Sequence, residues 1–175
     1  MYQVLSQSSA ILSLLGLVVA LVGLGLLWSG QGERVWKEVG HLLPVLIVVV
    51  SIGATVGSLL YSEVLGFEPC RLCWYQRIAM YPIGFLSALA LWRRDLGLMW
   101  YFRLQATVGA AIGAYHYLTQ ILEFLDGGSC SATAPCTLKY VNQFGFVSIP
   151  FMAACCFVLI AVAAHYVVKF QGDNA

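Results

Sequence analysis

The sequence predicts an all-α membrane protein with five transmembrane helices. Of its 175 residues, 61% are hydrophobic and only 10% are charged, far from the soluble average. The apolar residues gather into five stretches, each near the ~20 residues that an α-helix needs to cross a bilayer. Nothing resembles the strands of a closed barrel, and a helix satisfies its own backbone polar groups within lipid.

The first stretch, 10–28, resembles a signal peptide only in its apolarity. Residues 1–9 carry no Lys or Arg and no A-x-A site follows, so this span is expected to stay as a helix. The second, 42–61, has Pro44 in its first turn, where the missing N–H costs little. The third, 74–92, holds Pro82 in its interior and is expected to kink there. Trp74, Tyr75, Tyr81 and Trp92 bracket it as interfacial aromatics; Trp74 and Tyr75 are also candidates to wall a flat ring. The fourth, 104–125, carries His116 and Gln120, and the fifth, 146–168, has Pro150 near its start. Loops are expected at 29–41, 62–73, 93–103 and 126–145, with no separate domain, linker or low-complexity tract.

The net charge is +1 and there is no basic cluster, so nothing points to nucleic acid. The few basic residues do set an orientation. Arg34, Lys37, Arg93, Arg94, Arg103 and Lys169 fall on one side of the alternating spans. Arg71 and Lys139 fall on the other, with Arg77 at the boundary. The first side, with the C-terminus, is therefore expected in the cytoplasm. The N-terminus, Cys70, Cys73, Cys130 and Cys136 are then outside, where disulfides persist.

The six cysteines lie in three settings. Cys70 and Cys73 form C-x-x-C in "EPCRLCWYQR", Cys130 and Cys136 flank "SATAP", and Cys155 and Cys156 sit in the last apolar run. Glu68-Pro69 ends an extended approach, because the residue before proline avoids helix, so a helix is expected to start near Cys73. A thiol there gains from the positive end of the helix, and its thiolate becomes available. Arg77, four residues on, shares the face of Cys73 in a continuous helix. Its bland reading is an interfacial side chain that snorkels; its sharper one is a site residue, since charges within spans usually mark ligand sites. Arg71 is expected to face water.

The turn residues between Cys130 and Cys136 can bring the two sulfurs within bonding range. A structural disulfide and a four-cysteine zinc site remain open readings. Cys155 and Cys156 read as small apolar residues. His116 is either a hydrogen-bonded histidine between helices or a contact for a polar cofactor group, and Gln120 is placed to support either role. His41 and His165 lie near span ends and receive no role.

Together, "EPCRLCWYQRIAMYP", "HYLTQ", "CSATAPC" and "YVNQFGFVSIPF" resemble the disulfide bond formation protein B family, in particular its shorter BdbC-like branch. The resemblance covers residues 44–168. It implies a four-helix transmembrane bundle in a bacterial cytoplasmic membrane, here with one extra N-terminal transmembrane helix. The implied division is 1–41 for that helix and its cytoplasmic loop, 42–170 for the redox bundle and 171–175 for a tail. The implied activity is reoxidation of an extracytoplasmic thioredoxin-fold thiol oxidase, with electrons passed to a membrane quinone, ubiquinone or menaquinone. By position, Cys70–Cys73 would be the disulfide near the quinone, with Cys73 facing it and Arg77 the quinone-site arginine. Cys130–Cys136 would be the disulfide that exchanges with the partner. His116 matches a quinone-site histidine only approximately, and the first span has no counterpart. A vitamin K epoxide reductase-like bundle is the alternative enzyme, although its C-x-x-C usually comes late in the chain. A non-enzymatic membrane protein with structural disulfides is the other alternative, and it gives Arg77 no role.

Overall fold

A computed structural model describes residues 2–122 and 135–171. Five long helices dominate: α1 (Tyr2–Trp28), α3 (Leu43–Leu59), α4 (Arg71–Arg93), α5 (Met99–Ile121) and α6 (Ile149–Gln171), with a short α2 (Gly32–Val39) after the first. The one extended pairing among the described residues is an isolated bridge between Gln143 and Val147.

By length and composition, three segments can cross a membrane: Tyr2–Trp28, Gly32–Val64 and Ile149–Gln171. The expected third and fourth spans are present as α4 and α5, each 23 residues long, but they are less apolar. The reason is visible in what they bury: Gln76 and Arg77 on α4, His116, Thr119 and Gln120 on α5. These polar residues point into the bundle, so composition understates how well the helices suit lipid.

Several boundaries depart from expectation. α1 begins at Tyr2, well before residue 10. The expected loop 29–41 contains α2, whose exposed face carries Lys37–Glu33 at 2.7 Å and Arg34–Glu38 at 3.7 Å. Such i,i+4 pairs support a short helix, and Trp36 anchors it by stacking on Phe170 with centroids 6.3 Å apart. α4 runs unbroken through Pro82. α6 starts at Ile149 rather than 146 because a tight turn precedes it. There Phe144 and Gly145 take positive φ, 54° and 81°, and Gln143 and Val147 exchange two backbone hydrogen bonds of 2.9 Å. The end of the expected fourth span and much of the loop 126–145 lie outside the described residues.

α6 is the central post. It packs against α5 along its length and also against α1 and α3. The α5–α6 approach is close because glycines face it. A Cβ on Gly109 would lie 2.3 Å from the Phe157 ring, and one on Gly113 3.0 Å from Ala154 Cβ. Small residues that let backbones approach are how helices gain contact in lipid. Ile47, Met80, Ile83, Phe102, Phe157 and Ile160 fill the main core.

The two ends of the bundle differ in chemistry. At one end Lys37, His41 and Arg94 border a single recess with Phe170. At the other, the N-terminal turns of α1 meet the loop before α6: Tyr2 donates to the Tyr140 carbonyl at 3.0 Å and Gln143 to Ser6 Oγ at 2.9 Å. Cys70 and Cys73 begin α4 at this second end.

Candidate functional site

Chain direction changes sharply at the C-x-x-C. Cys70 is extended, with φ −70° and ψ 173°, and is itself the N-cap of α4. Its sulfur accepts from the backbone N–H of Cys73 at 3.4 Å. The helix thus starts at Arg71, earlier than the expected start near Cys73, because the Cys70 side chain satisfies a first-turn N–H. The thiol favoured by the helix terminus is therefore Cys70, not Cys73. A hydrogen bond with the Cys73 thiol and, next, the neighbouring His116 pull the Cys70 thiol down to about 4, against the opposing effect of burial.

The sulfurs of Cys70 and Cys73 are 3.0 Å apart and both are free thiols. Cys136 is disulfide-bonded; its expected partner, Cys130, lies outside the described residues. Cys70, Leu72 and Cys136 share one small buried cluster with Cys73 at its edge.

His116 reaches this pair from α5. Its Nε2 is 3.5 Å from Cys70 Sγ, and its Nδ1 is 3.1 Å from Gln76 Nε2. With the Gln76 amide donating to Nδ1, the imidazole hydrogen sits on Nε2 and points to the Cys70 sulfur. One turn on, Gln120 donates to the Leu138 carbonyl at 3.1 Å and ties α5 to the loop just past Cys136. His116 is thus a helix-bridging residue at the dithiol and does not line the cavity described next.

On the other side of the dithiol lies a cavity of about 480 Å³, lined by residues of α1, α3, α4 and α6. Cys73, Gln76 and Arg77 border it; Cys70 does not. Arg77 is only 8% exposed. Its Nε donates to Ser58 Oγ at 3.0 Å and its Nη2 to the Ser58 carbonyl at 3.1 Å. Trp74 covers the guanidinium, 5.2 Å from ring centroid to Cζ. A fixed, buried guanidinium is the opposite of a snorkelling side chain.

Trp74 and Tyr75 are half exposed and do not border the cavity, so they act as interfacial aromatics and not as ring walls. The flat walls come from elsewhere. Tyr61, Phe67 and Tyr140 form a near-parallel column, with centroids 6.0 Å and 4.7 Å apart, and all three line the cavity. Tyr81, expected at an interface, is mid-helix and lines it too. The Tyr81 hydroxyl is buried without a hydrogen-bond partner among the described residues. Cys155 and Cys156 also border the cavity.

Cys70, Cys73 and His116 have ligand atoms within 4.8 Å of one another. Two thiolates on one tetrahedral zinc would sit about 3.8 Å apart, given Zn–S bonds of about 2.3 Å. The observed 3.0 Å separation suits a pair that exchanges a proton or closes a bond, not one that shares a metal.

An all-helical membrane bundle with a dithiol between a disulfide-bonded cysteine and an apolar cavity defines a membrane thiol oxidoreductase. The chain belongs to the disulfide bond formation protein DsbB family, whose model matches residues 40–167. Among similar proteins is the probable disulfide formation protein of Oceanobacillus iheyensis, 40% identical over 145 residues, which are 82% of this chain and 99% of that one. Probable disulfide formation protein C 1 of Bacillus anthracis is 45% identical over 117 residues, covering 66% of this chain and 84% of the relative. Disulfide bond formation protein C of Bacillus subtilis is 42% identical over 115 residues, covering 65% and 83%. No solved structure matches the chain.

The sequence alone pointed to Cys70, Cys73, Arg77 and His116. It missed Gln76, Ser58 and the Tyr61–Phe67–Tyr140 column. Gln76 had a readable signal, a polar amide one position before Arg77 in an apolar run. Ser58 had none.

Proposed function

We propose that the chain is a protein-dithiol:quinone oxidoreductase that reoxidises an extracytoplasmic thioredoxin-fold thiol oxidase. The observation that carries this reading is the division of the C-x-x-C. Cys70 is clustered with disulfide-bonded Cys136, while Cys73 borders the cavity beside Arg77. One reactant arrives from water and the other from lipid, and the dithiol stands between them.

A partner thiolate attacks the Cys130–Cys136 disulfide and forms a mixed disulfide. The second partner thiol displaces it, so the partner leaves oxidised and Cys130 and Cys136 become thiols. Exchange with the Cys70–Cys73 disulfide restores Cys130–Cys136 and leaves Cys70 and Cys73 reduced. The buried cluster that Cys70 shares with Cys136 supports exchange between the two pairs. Re-forming the Cys70–Cys73 bond releases two electrons and two protons, which a membrane quinone supplies the capacity to accept. The net change is one partner dithiol oxidised and one quinone reduced to quinol.

The cavity residues suit such an acceptor. Its volume, about 480 Å³, is in the range of small-molecule sites. Arg77 supplies fixed positive charge where thiolate and reduced ring are anionic. The buried Tyr81 hydroxyl has no hydrogen-bond partner among the described residues, and the stacked column offers flat apolar faces. Ubiquinone and menaquinone both fit this chemistry.

The cysteine end is proposed to face outward and the Lys37–Arg94 end the cytoplasm. The placement of these groups at opposite ends of the bundle supports that orientation, as does the basic-residue bias. The experiment is quinone reduction by the purified protein with a reduced thioredoxin-fold oxidase as donor. Turnover that requires both reactants is expected; no quinol formation with either quinone type would refute the reading.

A further inference from the structure

α1 lies outside the stretch 40–167 that matches the family, yet it forms part of the cavity at the dithiol. α1 and α3 each pack on α6 and make almost no direct contact with one another. The space left between them is the cavity. Ser9, Leu12, Ser13, Gly16 and Val19 line it from α1. Leu12 and Val19 on one side and Val49 on the other are more than half exposed, so the opening between the helices faces the lipid.

At the dithiol end a side-chain hydrogen bond bridges the two helices. Ser9 Oγ is 2.8 Å from the Tyr61 hydroxyl. Ser9 directs its own hydrogen to the Leu5 carbonyl at 2.7 Å, so Tyr61 is the donor. Tyr61 sits in a π-helical turn, Leu60–Val64, that ends α3; such turns recur at functional sites. Away from this bridge, α1 is held to α6 by small residues. Gly16 and Gly23 face Leu159 and Val162 so closely that a Cβ would lie 3.2 Å and 3.3 Å away, and Tyr166 donates to the Gly23 carbonyl at 2.7 Å. The wall is therefore fixed in place.

We infer that α1 is a built wall of the electron-acceptor site, with the Ser9–Tyr61 bridge closing the ring end and Leu12, Gly16 and Val19 flanking the apolar tail of the acceptor. The inference rests on the quinone reading above. A ring beside Cys73 and Arg77 has the Tyr61 column at its edge. Its tail leaves through the exposed gap between Val19 and Val49, the direction in which lipid lies. Without α1 that gap would be a shallow groove open to lipid along its whole length, and the same tail would be held on one side only.

The test uses the intact wild-type chain and a photoreactive quinone analogue, with labelled residues located by mass spectrometry. Label on residues 9–19, displaced by excess unmodified quinone, is expected. Ser13→Phe, which intrudes on the cavity, should raise the quinone KM about tenfold or more and leave the KM for the thiol oxidase unchanged. Leu21→Phe, on the exposed face of α1 opposite Leu12 and Val19, should change neither. Displaceable label confined to α3, α4 and α6 in a quinone-reducing wild type would overturn the inference and leave the proposed function standing. Absence of quinone reduction by the wild type would overturn both. The photolabelling decides the matter even where Ser13→Phe fails to fold.

Discussion

His116 places its Nε2 3.5 Å from the sulfur of Cys70, and Gln76 holds the other ring nitrogen at 3.1 Å. The histidine thus donates to the sulfur that caps α4. A hydrogen bond to an anion stabilises the anion, so removing the ring should cost thiolate. In His116→Ala the midpoint pH of Cys70 alkylation, measured on reduced protein, is expected to rise by the equivalent of about a tenfold to hundredfold loss of thiolate stabilisation, the range for a charge-assisted hydrogen bond. The sign extends to redox balance. Cys70 is lowered from an ordinary value of 9.0 to about 4. The thiolate therefore favours the folded, reduced form fully above pH 9 and loses that advantage as pH falls toward 4. Weakening it should make the Cys70–Cys73 disulfide less oxidising by about 30–60 mV at neutral pH, at 30 mV per tenfold. An unchanged alkylation profile would leave His116 as a helix spacer.

Loss of either sulfur of the C-x-x-C should stop electron delivery. Cys70→Ser and Cys73→Ser are expected to abolish quinone reduction. Cys130→Ser and Cys136→Ser should abolish turnover with the protein partner while a small dithiol still supports some quinone reduction. Cys155→Ala and Cys156→Ala, which remove one sulfur each from the cavity wall, should keep near-normal rates. Full partner-linked turnover in all four single serine variants would rule out a two-pair relay.

Arg77 is tied to Ser58 by two hydrogen bonds and covered by Trp74. Arg77→Met should weaken quinone-linked efficiency by about 1–3 kcal/mol, roughly tenfold to a hundredfold. Arg77→Lys should be milder but measurable, because lysine keeps the charge and loses the planar fork that grips Ser58. Exchange between the partner and the Cys136 disulfide should change little. Equal loss of both half-reactions, at normal expression, would assign Arg77 to folding.

Orientation is checked by labelling whole cells. After reduction, a membrane-impermeant thiol reagent is expected to reach the Cys130/Cys136 pair without lysis. A cysteine introduced between Arg94 and Leu98 should label only in lysed cells. The reverse pattern would invert the topology and remove the proposed partner from reach.

The α5–α6 contact sets the height of the whole site, since α5 carries His116. Gly109→Leu must displace the Phe157 ring, which a Cβ would already meet at 2.3 Å. The expected cost is about 1–3 kcal/mol or more, read as a lower unfolding temperature in detergent. The same substitution at Gly25, which has nothing near it, should be close to neutral.

Hydropathy made the five long helices legible, because apolar runs of this length have few other fates. It was least informative for α4 and α5, whose polar residues serve the site rather than the solvent. The dithiol and Arg77 were legible because reactive and charged groups are rare in lipid. Which thiol ionises was not, since that depends on the contacts of Cys70 with the Cys73 thiol and with His116, which comes from another helix. The cavity walls were also hidden. Tyr61, Phe67 and Tyr140 come from separate segments and meet only when α1 and the loop before α6 close over α3. The role of α1 could not be read at all, because packing on α6 and distance from α3 leave no periodic mark beyond that of any span.

The burial of Cys70 has a kinetic meaning. Cys70 is 6% exposed and clusters with Leu72 and Cys136. Low-molecular-weight thiols diffusing past the membrane surface find little open surface on which to attack it. A reductant must approach along the axis of the scissile bond, and the buried neighbours Leu72 and Cys136 narrow that approach. The fold therefore shelters the Cys70 sulfur, when it is held in a disulfide, from adventitious reductants, as sheathing prevents a wire from discharging into its surroundings.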